Sequence, residues 1–254
     1  MYLVNPGYIS NDYQAELLSY NKFLTGDLQE VATLGFSAAK IFRRDNESAH
    51  LARLSVLNEK QGPYISSPRA SANYAYELPL AEEMFLSGGV AAGVSGMNYT
   101  GVSSTGAVNV FLPDASAGLV FKFRKLQLGI AGLQLPDSKT KPYYAQLVFN
   151  RYYHFHFRHQ LELNENWNFH YFSLYRLLPK SKNEFLAGGS IAFMRTIELG
   201  AIVRSNAGLS VFGEAALDSE NNRLSIIFTY NSPSYRIKTS ALNSIELGVG
   251  YQIK

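Results

Sequence analysis

Cysteine is absent from all 254 residues, which excludes disulfides and thiolate metal sites and is compatible with an exported protein that folds without oxidative help. Charge is sparse and nearly balanced at a net +3, so a nucleic-acid partner has no electrostatic support. No apolar run is long enough for a spanning helix. The longest charge-free stretch, Met84 to Pro113, is broken by Gly88, Gly89, Gly93, Gly96, Gly101 and Gly106 and rich in Ser, Thr and Asn, a poor helix in any solvent. A charged n-region followed by an apolar h-region is missing too, so an export signal is either absent or removed before Met1, and a barrel requires the second. No Gly-x-Ser-x-Gly elbow supports a serine nucleophile; Gly101-Val102-Ser103-Ser104-Thr105-Gly106 is a small-residue loop.

What is there is alternation. In Ser244-Ile245-Glu246-Leu247-Gly248-Val249-Gly250-Tyr251-Gln252-Ile253 every second residue is large and apolar, and those between are polar or glycine. Leu224, Ile226, Phe228 and Tyr230 repeat the pattern against Arg223, Ser225, Ile227 and Thr229. A period of two over about ten residues is that of a tilted strand crossing a bilayer, one face to lipid and one to a polar interior. A hydrophobic content of 46% with mean hydropathy near zero fits such a barrel, because its two faces average out, but it fits a soluble protein equally.

Alternation and turn residues predict strands near 12–22, 30–42, 49–59, 66–78, 82–99, 115–124, 126–134, 143–162, 166–177, 184–194, 197–204, 207–217, 222–231 and 243–253. This is an all-β reading: one transmembrane antiparallel β-barrel of about 14 strands over residues 1–254, with an irregular N-terminal segment at 1–10. An even strand count puts both termini on one side of the membrane. The longer connections, 60–65, 100–114, 135–142, 178–183 and 232–242, follow odd-numbered strands. Tighter ones follow even-numbered strands: Pro79-Leu80-Ala81, Arg124-Lys125, Leu163-Asn164-Glu165, Arg195-Thr196 and Asp218 to Asn221. Connection 43–48 is intermediate, and Ser205-Asn206 is short where a longer loop is expected. The asymmetry places the termini in the periplasm and the long loops outside. Aromatics cluster near strand ends, as in Tyr74-Ala75-Tyr76, Tyr143-Tyr144, Tyr152-Tyr153, Trp167 and Tyr171, the pattern of interfacial girdles.

Candidate chemistry is thin. His154 and His156 share one strand face, with His159 and His170 nearby, and paired imidazoles can chelate zinc or copper. No third ligand of fixed spacing accompanies them, and Tyr153, Phe155 and Phe157 claim the lipid face, which leaves the histidines in a polar lumen beside Arg158 and Gln160. Glu16, Glu214 and Glu246 fall on the inner face with Arg53, Lys122 and Arg223, and lumen charges of opposite sign pair across strands rather than act as acid and base. No catalytic, cofactor-binding or metal residue is therefore assigned. Arg43-Arg44-Asp45-Asn46-Glu47 is a solvated charged turn on the periplasmic side. The long loops, presented on a rigid barrel, are the better places for recognition.

Five short stretches follow one another over essentially the whole chain: Asn5-Pro6-Gly7-Tyr8, Gly62-Pro63-Tyr64 ahead of Ala72-Asn73-Tyr74-Ala75-Tyr76, Pro113-Asp114-Ala115-Ser116-Ala117-Gly118, Arg223-Leu224-Ser225-Ile226 and Ser244-Ile245-Glu246-Leu247. Together, and in that order, they resemble the PorP/SprF family. The chain departs from the family's usual Asn-Pro-Ala-Tyr-Ala-Gly start at Gly7, Ile9 and Ser10, and its last strand ends Tyr251-Gln252-Ile253-Lys254 rather than on an aromatic. The resemblance implies an integral outer-membrane protein of the type IX secretion and gliding-motility machinery of Bacteroidota. It also implies a non-enzymatic role, without cofactor, in binding or anchoring other machinery subunits or a secreted surface protein.

Two further readings stand beside this one. About fourteen strands enclose more room than their own side chains fill, so a small-solute diffusion channel is open unless a segment plugs it, and residues 1–10 are the candidate plug. A soluble secreted β-protein is opposed by the outward apolar rows on the last two strands.

Overall fold

The computed structural model describes residues 5–10, 12–25, 31–44, 48–100, 108–140, 147–205, 208–232 and 243–254. The period of two becomes the pleat of a meander that begins β1 (Ala15–Leu24), β2 (Val31–Arg43), β3 (Ala49–Gln61), β4 (Ile65–Ala81), β5 (Met84–Tyr99), β6 (Val108–Phe123) and β7 (Leu126–Leu133). A minimal two-stranded pair, β8 (Lys139–Thr140) and β9 (Leu147–Val148), interrupts it. It resumes with β10 (Tyr152–Glu162), β11 (Trp167–Leu177), β12 (Glu184–Phe193), β13 (Ile197–Arg204), β14 (Gly208–Asp218), β15 (Asn222–Ser232) and β16 (Ser244–Ile253). Leaving out β8 and β9, the fourteen remaining strands form one closed antiparallel barrel in sequence order. β1 closes on β16 from Ala15↔Ile253 to Leu24↔Ser244, so the barrel itself has no edge strand.

Alternation decides the faces. Leu199 and Leu217, 65% and 73% exposed, belong to a continuous outward apolar surface that includes Leu34, Leu54, Val90, Ile130, Val203 and Ile226. Such a surface is stable only against lipid, since water would leave every one of these side chains unburied. The inward face buries Ser37, Arg53, Ser87, Lys122, His154, Ser190 and Thr229, a polar interior of the kind membrane barrels carry. Outward aromatics lie toward both rims: Phe42, Tyr76, Phe123, Trp167 and Tyr251 near the rim where the termini lie, Phe23, Phe111 and Phe185 near the opposite one. Tyr152, by contrast, faces the lumen, and Tyr143 and Tyr144 lie outside the described residues.

Three boundaries differ from the sequence reading. β6 begins at Val108 rather than near 115, pairing with β5 from Tyr99↔Val108 onward, so 108–114 is strand and not loop. Pro113 and Asp114 look like turn residues, but Asp114 turns inward and accepts a 2.8 Å hydrogen bond from Ser95 Oγ of the neighbouring strand. The segment 143–162 is not one strand; the barrel strand starts at Tyr152. Pro79-Leu80-Ala81 is not the β4–β5 turn either. Pro79 stays in β4 next to a register irregularity at the rim, where a missing N–H is tolerated, and Glu82-Glu83 turns instead, with Glu83 at φ 57. Arg124, at φ 52 in the next turn, clamps Glu83 by a 2.8 Å ion pair.

Connections at the terminal rim are short: 82–83, 124–125, 163–166, 194–196 and 219–221. Those at the distal rim include 100–107, 134–151, 178–183 and 233–243, of which 101–107, 141–146 and 233–242 lie outside the described residues; 60–65, expected as a longer loop, is reduced to 62–64 because β3 runs on to Gln61 and β4 starts at Ile65. Asp45, Asn46 and Glu47 of the charged turn lie outside them as well.

Candidate functional site

The lumen is occupied. Before β1 the chain enters the barrel, and Asn5 and Ile9 are wholly buried while Ser10 is nearly so. The wall is shaped for this. Gly89 of β5, Gly118 of β6 and Gly129 of β7 all stand on the inward phase of adjacent strands, and together they make a trough without side chains. A Cβ on Gly89 would lie 2.3 Å from the Pro6 carbonyl oxygen, and one on Gly118 would lie 2.1 Å from Asn5 Oδ1. A Cβ on Gly7 would in turn meet the Gly118 carbonyl at 2.7 Å, so backbone packs on backbone at this point.

Hydrogen bonds fix the segment in the trough. Asn5 Nδ2 donates to the carbonyls of Leu119 and Ile130, both at 3.0 Å, and Asn5 Oδ1 accepts from the Gly7 N–H at 2.8 Å. Both amide N–H groups and one lone pair of the oxygen are thereby used. From the wall, Asn73 Nδ2 donates to Pro6 O at 3.1 Å, Arg43 Nη2 to Ser10 O at 2.8 Å, and Lys122 Nζ to Ile9 O. The Ile9 side chain and Tyr13 complete an apolar cluster with Ala39, Ile41, Ala49, Leu51 and Ala75 from β2, β3 and β4. Lys122 also forms a 2.6 Å ion pair with Glu77, their side chains 5% and 1% exposed.

Two cavities flank the segment. On the distal side lies one of about 290 Å³, floored by Pro6 and lined by Arg53, Arg69, Asp114 and Tyr152 among others. On the terminal side lies one of about 620 Å³, reached by Tyr8 and Ser10 and lined by Arg158, Glu198, Glu214 and Arg223.

The histidines do not converge. His154 and His156 face the lumen, where Arg176 Nε donates to His154 Nε2 at 2.9 Å and His156 packs against Gly129. His159 is on the outer wall, its ring 5.2 Å from that of Tyr171, because odd-numbered residues of β10 point out. His170 lies inside, 3.3 Å from Glu198, which also accepts from Ser190. Among the described residues no group of three His, Asp or Glu is arranged to hold a metal ion. The inner carboxylates are engaged in separate places. Glu16 accepts from Tyr13 and Gln252, Glu214 pairs with Arg223 at 3.0 Å, and Glu246 accepts from Asn231 at 2.8 Å with Lys22 3.5 Å away. Arg53 stands opposite Asn73 in the register, and Arg43, assigned from sequence to a solvated turn, reaches inward to Ser10. Residues 101–106 lie outside the described residues.

Sequence reasoning named 1–10 as the candidate plug but did not find its seat. The signal was present: Ile41 of β2 and Leu51 of β3 put large apolar side chains on the inward phase, and glycines recur on the inward phase of β5 to β7.

A closed fourteen-strand barrel with an apolar outer wall and a polar interior is an outer-membrane β-barrel. Solved barrels share the fold. The P. putida toluene transporter TodX aligns with TM-score 0.62 at 11% identity, over 100% of this chain and 93% of that one. The Ralstonia pickettii toluene transporter TbuX aligns with TM-score 0.64 at 10% identity, over 99% and 92%. The Acinetobacter baumannii outer-membrane protein Omp33 aligns with TM-score 0.56 at 8% identity, over 94% and 98%. No curated protein matches the chain. The family is nonetheless clear: the family model of the type IX secretion system membrane protein PorP/SprF matches residues 1–251, and the chain belongs to that family.

Proposed function

We propose that this protein is a non-enzymatic barrel subunit of the type IX secretion machinery that binds or anchors another machinery component or an exported surface protein. The occupied lumen carries this reading. With residues 5–10 packed into the barrel and bonded to the strands around them, recognition falls to the rims and the wall. Glu16, Glu214 and Glu246 are each engaged with a neighbour, which supports a structural role for these inner carboxylates rather than an acid and base pair. We take residues 1–254 as one domain, with both termini periplasmic and the long connections outside, because the longest connections, 100–107, 134–151 and 233–243, all belong to the distal rim.

Orientation has a direct test, since the chain has no cysteine of its own. Ser181→Cys, in the distal connection 178–183, should react with an impermeant thiol reagent on whole cells, and Glu220→Cys, at the opposite rim, should stay silent. The reverse pattern would invert the barrel.

Function is tested by shortening the distal connections at 101–107 and 233–242 in cells lacking the native gene. The expected result is a folded barrel, judged by heat-modifiable mobility on a gel, that loses co-purifying protein and lowers the amount of exported or surface-held cargo. Trimmed barrels that keep every partner and support normal export would move the docking surface to the terminal rim or the lipid-facing wall. Removal of the whole gene with unchanged export but reduced uptake of a small solute would replace the scaffold reading with a diffusion channel.

A further inference from the structure

Residues 5–10 lie between two cavities, with Pro6 lining the distal one and Tyr8 and Ser10 the terminal one. Elsewhere, large lumenal aromatics are folded against the wall. The Phe172 ring covers Gly188 on the adjacent strand, and the Phe212 ring covers Gly200 in the same way; a Cβ at either glycine would lie 2.7 Å and 2.4 Å from ring carbon. These rings follow the wall, whereas residues 5–10 run through the interior.

The polar contacts that hold the segment are of a kind that can be exchanged for water: hydrogen bonds from the ends of the Asn73, Arg43 and Lys122 side chains, and the two bonds donated by Asn5. Beside them stand the close packing of Pro6 and Gly7 on the glycine trough, the Tyr8 ring next to Lys122, and one wholly buried aliphatic side chain, Ile9. None of residues 5–10 is a ladder partner of a barrel strand, so the segment can leave while every strand pair remains. We propose that residues 5–10 are a displaceable partition, and that when they leave the lumen the two cavities join into a water-filled pore for small hydrophilic solutes. This is a latent conductance, separate from the scaffold role.

The chemistry of the cavities sets what would pass. Glu198 and Glu214 face Arg158 and Arg223 on the terminal side, and Asp114 faces Arg53 and Arg69 on the distal side. Mixed charge favours neither sign of ion strongly, and it suits polar solutes rather than hydrocarbons.

Asn5→Asp in the full chain tests the idea without altering any strand. It replaces two donated hydrogen bonds with a carboxylate held against the Leu119 and Ile130 carbonyl oxygens. A second variant, Gly89→Ala with Gly118→Ala, fills the trough from the wall side, and Gly35→Ala, an inward glycine whose added Cβ would meet the Leu57 side-chain end at 3.0 Å and the Tyr20 side chain at 3.7 Å but nothing of residues 5–10, is the control. Each is combined with Ser10→Cys as a probe of the segment, in a chain otherwise free of cysteine. With the heat-modifiable mobility of a folded barrel retained, thiol labelling of the probe should rise at least about tenfold in the two evicting variants and not in the control. In planar bilayers the same two should show steady ohmic conductance where the parent is nearly silent, with a potassium-to-chloride permeability ratio between about 0.3 and 3. A probe that stays protected in both variants would make the segment a fixed part of the core and overturn the proposal. A probe that becomes labelled without conductance would overturn it equally, because something else would then close the lumen.

Discussion

Replacing Lys122 by Met should destabilise the folded barrel by about 3 to 5 kcal/mol, the range for removing one partner of a buried ion pair. The ammonium sits 2.6 Å from Glu77 Oε2, and the Glu77 side chain is only 1% exposed, so the carboxylate left behind has little access to water. The same substitution takes the donor from the Ile9 carbonyl, which loosens the lumenal segment as well. Most of the loss should be recovered in the double variant Lys122→Met with Glu77→Gln, because the second change removes the stranded charge; this non-additivity distinguishes an ion-pair effect from simple loss of packing. Urea unfolding in detergent micelles, followed by the fluorescence of the single tryptophan Trp167 and by heat-modifiable mobility, measures both. A single-variant change within about 0.5 kcal/mol of the parent would show that water reaches Glu77 freely.

The barrel itself was legible because lipid enforces the strand pattern from outside. Each spanning strand must turn one row of side chains to hydrocarbon, and on β13 to β16 that constraint yields strands at 197–204, 207–217, 222–231 and 243–253, within a residue or so of those observed. Boundaries failed where the local chemistry of a residue was read without its neighbour across the sheet. Asp114 looks like a loop residue until Ser95 supplies its hydrogen bond, and Glu83 holds a positive φ without glycine to announce it. The family resemblance was carried by scattered short stretches, one of which, Asn5-Pro6-Gly7-Tyr8, turns out to be the segment in the lumen.

The interior was less legible, for a physical reason. Lumen residues answer to whatever fills the lumen, and here the filling is a segment more than eighty residues away in sequence from Gly89, Gly118 and Gly129. No local period encodes such a contact. The charges show the same thing. Arg223 with Glu214 follows from two neighbouring strands joined by a short turn, while Lys122 with Glu77 needs β6 and β4 to face each other across β5. The histidine pair was placed correctly on the lumen side by strand parity, and the same parity puts His159 on the other face.

The outer wall gives the second large expectation, a loss of about 2 to 4 kcal/mol for Val249→Arg if that side chain lies near the bilayer midplane. Val249 faces outward at 40% exposure, in the middle of β16, between Ile226 of β15 and Ser19 of β1 in the register. An arginine there must either remain in hydrocarbon or thin the bilayer locally to reach water, and both cost free energy. The neighbouring Gly248 faces the lumen, and an added Cβ there would find nothing closer than Ile227 Cβ at 3.5 Å. Gly248→Lys should therefore be distinctly milder, its ammonium having a polar interior to occupy. The pair is informative because the two positions are adjacent in one strand, share its secondary structure and present opposite faces. Equilibrium folding into lipid vesicles, with urea as denaturant, gives the two values. Equal penalties at Val249 and Gly248 would mean that the in-and-out alternation of β16 does not separate lipid from lumen, and the membrane reading of the whole wall would fall with it.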